Sequence, residues 1–151
     1  MNLKLCVLAA AVHLLFFTNS SVVTWLPTAA IGWSMFSCSC YLLSERSDSW
    51  DAARKDCRDR GADLVVIDSS EEQVHCTITN THTWIGLNDK EQEGQWKWVD
   101  GTPLIMTYWG DRQPDNDGGG EHCGHVRNDE KRSWNDLPCS ASLKWICEKI
   151  P

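Results

Sequence analysis

The chain is short of positive charge. Lys and Arg number 14 against 21 Asp and Glu, a formal balance of −7. Phosphate binding needs clustered Lys and Arg, so this balance argues against a nucleic-acid partner. Repeats, low-complexity tracts and internal linkers are missing beyond the N-terminal segment, and 151 residues make one domain's worth of chain. No His-Glu-x-x-His and no Gly-x-Ser-x-Gly pattern occurs, which removes the usual support for a hydrolase. What is present is a 42% hydrophobic composition, which points to a globular class, and nine tryptophans. Each tryptophan carries a large apolar surface and an N–H that needs a partner.

The N-terminus has Lys4 ahead of a 13-residue apolar run, residues 5–17, interrupted only by His13 and followed by Thr18, Asn19, Ser20 and Ser21. That layout predicts a secretory signal peptide over residues 1–21, since such a run is too short for a membrane helix. The alternative is an uncleaved membrane anchor extending to about residue 31. Either reading places the domain outside the reducing cytosol, secreted or at the cell surface. With Cys6 in the presumed signal, the remaining cysteines are Cys38, Cys40, Cys57, Cys76, Cys123, Cys139 and Cys147. In an oxidising compartment they predict a disulfide framework. Their odd number leaves at least one thiol free or paired with another chain, which opens a route to a homo-oligomer.

Residues from about 32 onward read as one α+β domain. "DSWDAARKDCRDRG" predicts a helix with Asp48 as N-cap, Trp50, Ala53 and Cys57 on one face, and Gly61 at the C-terminal stop. "SSEE" sets Ser69 three residues before Glu72, a capping box that opens a second, shorter helix. "LVVI" (64–67), "WIGL" (84–87), "GQWKWVDG" and "LKWICEK" predict short strands, the last two by alternation. Their tryptophans, Trp84, Trp96, Trp98 and Trp145, belong to the core on this spacing. Between residues 103 and 121 periodicity fades, and a loop that long in a compact domain is usually functional.

That loop contains "DRQPDNDGGGEHCGHV". Gln113, Asp115 and Glu121 stand close together, and Asn135 and Asp136 follow in "SWND". All five offer only oxygen to a metal, a donor set that suits a hard cation, and Ca²⁺ better than Mg²⁺. Three negative charges brought together without a cation repel one another. A bond between Cys123 and Cys139 would close a loop of roughly 15 residues, worth about 3 kcal/mol, and would draw the two ligand groups together. Pro114 restricts the backbone between Gln113 and Asp115, and X-Pro is where a cis peptide costs least. His122 and His125 flank Cys123, but an oxidised Cys123 cannot ligate zinc.

The motifs "GWSMF…CY", "SWDAARKDC", "GADLVVIDSSEEQ", "WIGLND", "GQWKWVDGTPL", "QPD", "EHC", "WND" and "WICEK" occur in order over residues 32–149. In this the chain resembles a C-type lectin domain, most similar to the asialoglycoprotein-receptor-like and dendritic-cell lectin-like groups. The resemblance implies a lectin domain over residues 32–150 with a double-loop fold, two helices flanking small antiparallel sheets, and Cys57–Cys147 and Cys123–Cys139 disulfides. It implies a Ca²⁺ held by Gln113, Asp115, Glu121, Asn135 and Asp136, with Pro114 cis. In such domains two sugar hydroxyls coordinate the ion while hydrogen-bonding to the same ligands. The order Gln-Pro-Asp goes with galactose and N-acetylgalactosamine. No bond is broken, so the expectation is a glycan-binding protein of innate recognition and not an enzyme.

The chain departs from the pattern at four places. Asp117 stands where galactose binders usually place a stacking tryptophan. The auxiliary cation site would draw on Asp89, Glu93, Asn116 and His122, but His122 replaces an aspartate and Asn116 is neutral. Ala29 occupies the position of Cys40's usual partner, which leaves pairings of Cys76 with Cys38 or Cys40 open. The alternative function is a lectin-like domain that binds a protein surface or ice without sugar. Against it stands the complete five-residue ligand set.

Overall fold

The computed structural model describes residues 32–76 and 79–150. The presumed signal or anchor segment lies outside those residues. Among the described residues no helix is long and apolar enough to cross a membrane.

The domain opens with a hairpin, β1 (Ser34–Phe36) and β2 (Ser39–Leu43), followed by α1 (Trp50–Asp59), β3 (Asp63–Leu64) and α2 (Ser70–Cys76). Four strands then lead to the end of the chain: β4 (Thr83–Asn88), β5 (Lys97–Trp98), β6 (Cys123–Val126) and β7 (Trp134–Leu137), completed by β8 (Lys144–Lys149). They form one sheet in the order β1-β2-β8-β4-β6-β7, with β3 paired to β8 and β5 to β4. Pairing is antiparallel except between β4 and β8, which run parallel through Thr83 and Trp84. The class is α+β as expected, with that one parallel pairing added.

Helix α1 buries Trp50, Ala53 and Cys57, the face that the spacing predicts. Its N-cap is Ser49 rather than Asp48: the Ser49 hydroxyl accepts from the Ala52 N–H, while Asp48 is committed to a β-bridge with Leu143. Gly61, at φ 69°, ends the helix: its N–H donates to the Arg58 carbonyl and that of Ala62 to the Cys57 carbonyl. This paired closure needs a left-handed residue, which favours glycine. At α2 the Glu72 N–H donates to Ser69 Oγ at 3.2 Å. The reciprocal bond reaches one residue further back, from the Asp68 N–H to Glu72 Oε2 at 3.0 Å. The other Glu72 oxygen accepts the Tyr41 hydroxyl at 2.6 Å, so this buried carboxylate ties α2 to β2.

The run at 64–67 is only partly a strand. The ladder ends at Leu64, while Val65 and Ile67 are buried by packing. Gly86 in β4 lies so close to this segment that a Cβ would stand 2.9 Å from the Leu64 and Val65 carbonyl oxygens. The predicted core tryptophans Trp84, Trp98 and Trp145 are buried, and Trp96 is half-buried against Trp109. Trp134 joins them in the core. Buried indoles find acceptors, as they must: Trp50 on the Ile85 carbonyl, Trp84 on the Asp48 carbonyl and Trp134 on Gln73 Oε1.

Cys57–Cys147 and Cys123–Cys139 are both formed, as the resemblance implies. The first pins α1 to the central strand β8. Neither contemplated pairing of Cys76 occurs: Cys38 is disulfide-bonded, but to neither Cys40 nor Cys76. Cys76 is packed in the core with Val65, Ile67 and Ile85, whereas Cys40 lies half-buried on β2.

Candidate metal centre

The site is assembled at the β6–β7 edge of the sheet. Strand β7 carries Asn135 and Asp136 and is held to β6 by the register Cys123↔Leu137, Gly124↔Asp136 and His125↔Asn135. On the far side of β7 the chain passes through Tyr108, Trp109 and Gly110. The Trp134 N–H donates to the Tyr108 carbonyl at 2.7 Å and the Gly110 N–H to the Trp134 carbonyl at 2.9 Å. Trp109 and Trp134 form a parallel bridge, and Tyr108 and Trp109 both pack edge-on against the Trp134 indole. This anchor, three residues ahead of Gln113, delivers the long loop to β7. No local periodicity marks it. Its only sequence signal is a pair of aromatics before a glycine in an otherwise polar stretch.

Beyond the anchor the loop folds around the Asp136 carboxylate, which is fully buried. Its Oδ1 accepts from the Asp115 N–H at 3.2 Å and its Oδ2 from the Asn116 N–H at 2.8 Å. Asn116 sits in the left-handed region at φ 44°, and its Oδ1 accepts from the Glu121 N–H at 2.9 Å. The Asp117 N–H donates in turn to Glu121 Oε2 at 3.2 Å. A 3₁₀ turn at Asp117–Gly119 and the following glycine close the loop onto Glu121. The Gln113-Pro114 peptide is cis, as the resemblance implies.

Asp115, Glu121 and Asp136 thereby place one carboxylate oxygen each within 4.8 Å of one another. Burial pushes the Glu121 carboxyl above the usual range. The Asp117 N–H works against that shift, while the charges of Asp136, Asp115 and Asp117 add to it. Those neighbouring charges disfavour the ionised form of Glu121, and a divalent cation would relieve the repulsion. The fourth member, Gln113, offers a buried Oε1 that has no hydrogen-bond partner. A buried carbonyl oxygen without a donor is costly, and on the loop that carries Asp115 and Glu121 such an oxygen suits a hard cation. Asn135 completes the set differently. Its amide nitrogen donates to the Asp136 carbonyl oxygen, so presenting Oδ1 and that carbonyl together requires a half-turn of the amide. The structure therefore gathers the carboxylates of Asp115, Glu121 and Asp136, with Gln113 two residues before Asp115 on the same loop and Asn135 next to Asp136 in β7 with its amide reversed.

The residues of the auxiliary site fall into two groups. Asp89, Glu93 and His122 cluster, with His122 Nδ1 at 3.0 Å from Asp89 Oδ1 and 3.3 Å from Glu93 Oε2. The Asn116 side chain is instead engaged with the Glu121 N–H. His125, also in "HCGH", is buried 3.3 Å from His82, and burial pushes its imidazole down to about 3, with the His82 charge second. Its neighbour Cys123 is in a disulfide, which removes that sulfur as a zinc ligand.

Residues 46–149 match the family described as Lectin C-type domain. C-type lectin domain family 4 member E of Mus musculus is 39% identical over 125 residues, covering 78% of this chain and 58% of the relative. The CD209 antigen of Homo sapiens is 39% identical over 124 residues, covering 78% of this chain and 30% of the relative. The chain thus spans less than two thirds of the length of these relatives. Among solved structures, the mouse scavenger receptor C-type lectin carbohydrate-recognition domain superposes with a TM-score of 0.75 at 36% identity, covering 80% of this chain and 95% of that one. A calcium-independent type II antifreeze protein superposes with a TM-score of 0.74 at 31% identity, covering 80% and 92%.

Proposed function

Because the chain belongs to the C-type lectin family, we propose that it binds glycans through a Ca²⁺ held by Gln113, Asp115, Glu121, Asn135 and Asp136, with a preference for galactose-type sugars. It is a binding domain, not an enzyme. The observation that carries the reading is the convergence of the Asp115, Glu121 and Asp136 carboxylates, with a buried, partnerless Gln113 Oε1 on the same loop. The bound ion supplies coordination sites for two vicinal sugar hydroxyls. The chain's own residues then select the sugar by hydrogen bonding. Ionised carboxylates accept only, whereas the Gln113 and Asn135 amides both donate and accept, so their order around the ion decides which hydroxyl pair is satisfied. Gln113 before Asp115 is the galactose-type order. Asp117 is exposed and offers no aromatic face for the apolar side of the sugar, so simple galactose binds weakly and extended glycans bind better. Two formed disulfides support a secreted or cell-surface location.

Glycan-array binding in calcium and in chelator tests this reading. The expected result is binding to terminal galactose or N-acetylgalactosamine that chelator abolishes. Binding indifferent to chelator, or none to any glycan in calcium, would refute it. The likeness to a calcium-independent antifreeze protein supplies the contrasting outcome, chelator-insensitive inhibition of ice growth without glycan binding.

A further inference from the structure

Between β6 and β7 the chain turns through "RNDEKRS", residues 127–133, which in sequence is only a charged surface turn. In the structure one side chain organises it. The Asp129 carboxylate accepts from the Ser133 N–H at 3.0 Å, from the Ser133 hydroxyl at 2.7 Å and from Arg127 Nε at 3.3 Å. Its carbonyl accepts from the Arg132 N–H at 3.1 Å, with Arg132 in the left-handed region at φ 51°. Arg127 directly follows β6 and Ser133 directly precedes β7, so Asp129 ties the two strand ends together.

The two side chains that Asp129 holds lie against Gly110. A Cβ on that glycine would stand 3.0 Å from Ser133 Oγ and 3.1 Å from Arg127 Nη1, so they fill the space beside its Cα. Gly110 also donates to the Trp134 carbonyl, and its own carbonyl accepts the Gln113 N–H at 3.0 Å. That second bond closes a four-residue turn with Arg112 at φ 64°. A non-glycine residue stays left-handed only where surrounding contacts impose it. Gln113 thus takes its position from Gly110, three residues back. The two halves of the loop are supported separately. Asp136 holds the Asp115 and Asn116 N–H groups directly. Gln113 Oε1 is buried without a donor, so the turn from Gly110 decides where that oxygen lies.

We infer that Asp129 is a positioning residue for the sugar-site cation, acting through Ser133 and Arg127 on Gly110 and hence on Gln113. The inference rests on Gln113 being a ligand of that cation, as proposed above. Asp129 is not itself a ligand; it sets how closely Gln113 meets the ion that the carboxylates gather.

The test is calorimetric titration of Ca²⁺ into the metal-stripped full chain, for wild type, Asp129→Ala, Asp129→Asn, Gly110→Ala and Glu130→Gln. Competition between galactose and mannose at saturating Ca²⁺ and melting in chelator accompany it. Calcium affinity is expected to fall about tenfold in Asp129→Ala and in Gly110→Ala, the lower end of what losing a ligand's support costs. Galactose preference falls with it, because Gln113 is the amide of the selecting pair. Asp129→Asn keeps an acceptor for Ser133 and recovers most of the affinity. Glu130→Gln removes an exposed charge from the same turn and leaves affinity unchanged. Unchanged calcium affinity in Asp129→Ala and Gly110→Ala, whatever their melting in chelator, would make Asp129 a structural residue only and overturn the inference. An equal loss in Glu130→Gln would assign the effect to long-range charge and overturn it as well. No calcium uptake by wild type would refute the ligand reading of Gln113 and this inference with it, so the wild-type titration separates the two failures.

Discussion

Replacing Asp136 by Ala separates a calcium ligand from a merely structural carboxylate. In calcium-free protein the change removes the acceptor of two backbone N–H bonds, from Asp115 and Asn116. Hydrogen bonds to a charged group contribute about 1.5–3 kcal/mol when buried. Asp115 is exposed and Asn116 half-buried, so water recovers part of that. The loss is also opposed by relief of repulsion on Glu121, whose raised carboxyl names the Asp136 charge among its causes. The calcium-free variant should therefore melt only a few degrees below wild type. Added calcium acts through mass action: at 100 times its dissociation constant, one ion stabilises by about 2.7 kcal/mol. For a domain of this size that raises the melting temperature by roughly 10 °C. Asp136→Ala should reduce this calcium-linked rise to about 1 °C or less. Asp117→Ala, an exposed acid beside the cluster, should keep most of it. The assay is differential scanning calorimetry in chelator and across a calcium series. An equal rise in wild type and Asp136→Ala would refute the ligand assignment, and a loss in Asp117→Ala alone would move the ion elsewhere.

Two further outcomes follow. Changing Gln113→Glu together with Asp115→Asn reverses the order of acid and amide around the ion; competition binding in calcium should then shift from galactose- to mannose-type sugars, and retained galactose preference would contradict the selection argument. The His125 imidazole is held down to about 3 by burial, so the unfolded chain takes up a proton that the folded one refuses. Its contribution is intact above the ordinary histidine value of about 6.5 and is lost as pH falls toward 3, at up to about 1.4 kcal/mol per pH unit. His125→Phe, measured by denaturant unfolding in chelator, should flatten that slope.

How much of this was legible in the sequence depended on whether burial followed a local period. Trp50, Ala53 and Cys57 recur at helical spacing because α1 turns one face to the core, and α1 formed where that spacing put it. Its cap shifted by one residue because Asp48 is claimed by Leu143, 95 positions away, a competition no local window contains. The alternation in "LKWICEK" identified β8. By contrast β6 and β7, "CGHV" and "WNDL", carry polar residues in buried places and lack a readable period. Their burial comes from neighbours and from the Cys123–Cys139 bond. The site shows the same division. Residue chemistry marked the oxygen donors, but the Tyr108 to Gly110 anchor and the left-handed turn at Asn116 arise from pairing with β7 and are visible only in three dimensions. Asp89, Glu93 and His122 were grouped only through the resemblance, and they acquire a geometry when β4 and β6 lie side by side, while Asn116 turns to the Glu121 N–H instead.

Strand β8 is the last described strand in sequence order yet lies between β2 and β4, near the middle of the sheet, and carries half of the Cys57–Cys147 bond. A chain growing from its N-terminus therefore holds an unfinished sheet, with both neighbouring edges bare, until β8 emerges. Such non-local closure is slow, and exposed edges invite association with other chains. During biosynthesis this domain depends on β8 arriving before its cysteines find other partners, and a nascent chain stopped ahead of Lys144 lacks the strand on which the others converge.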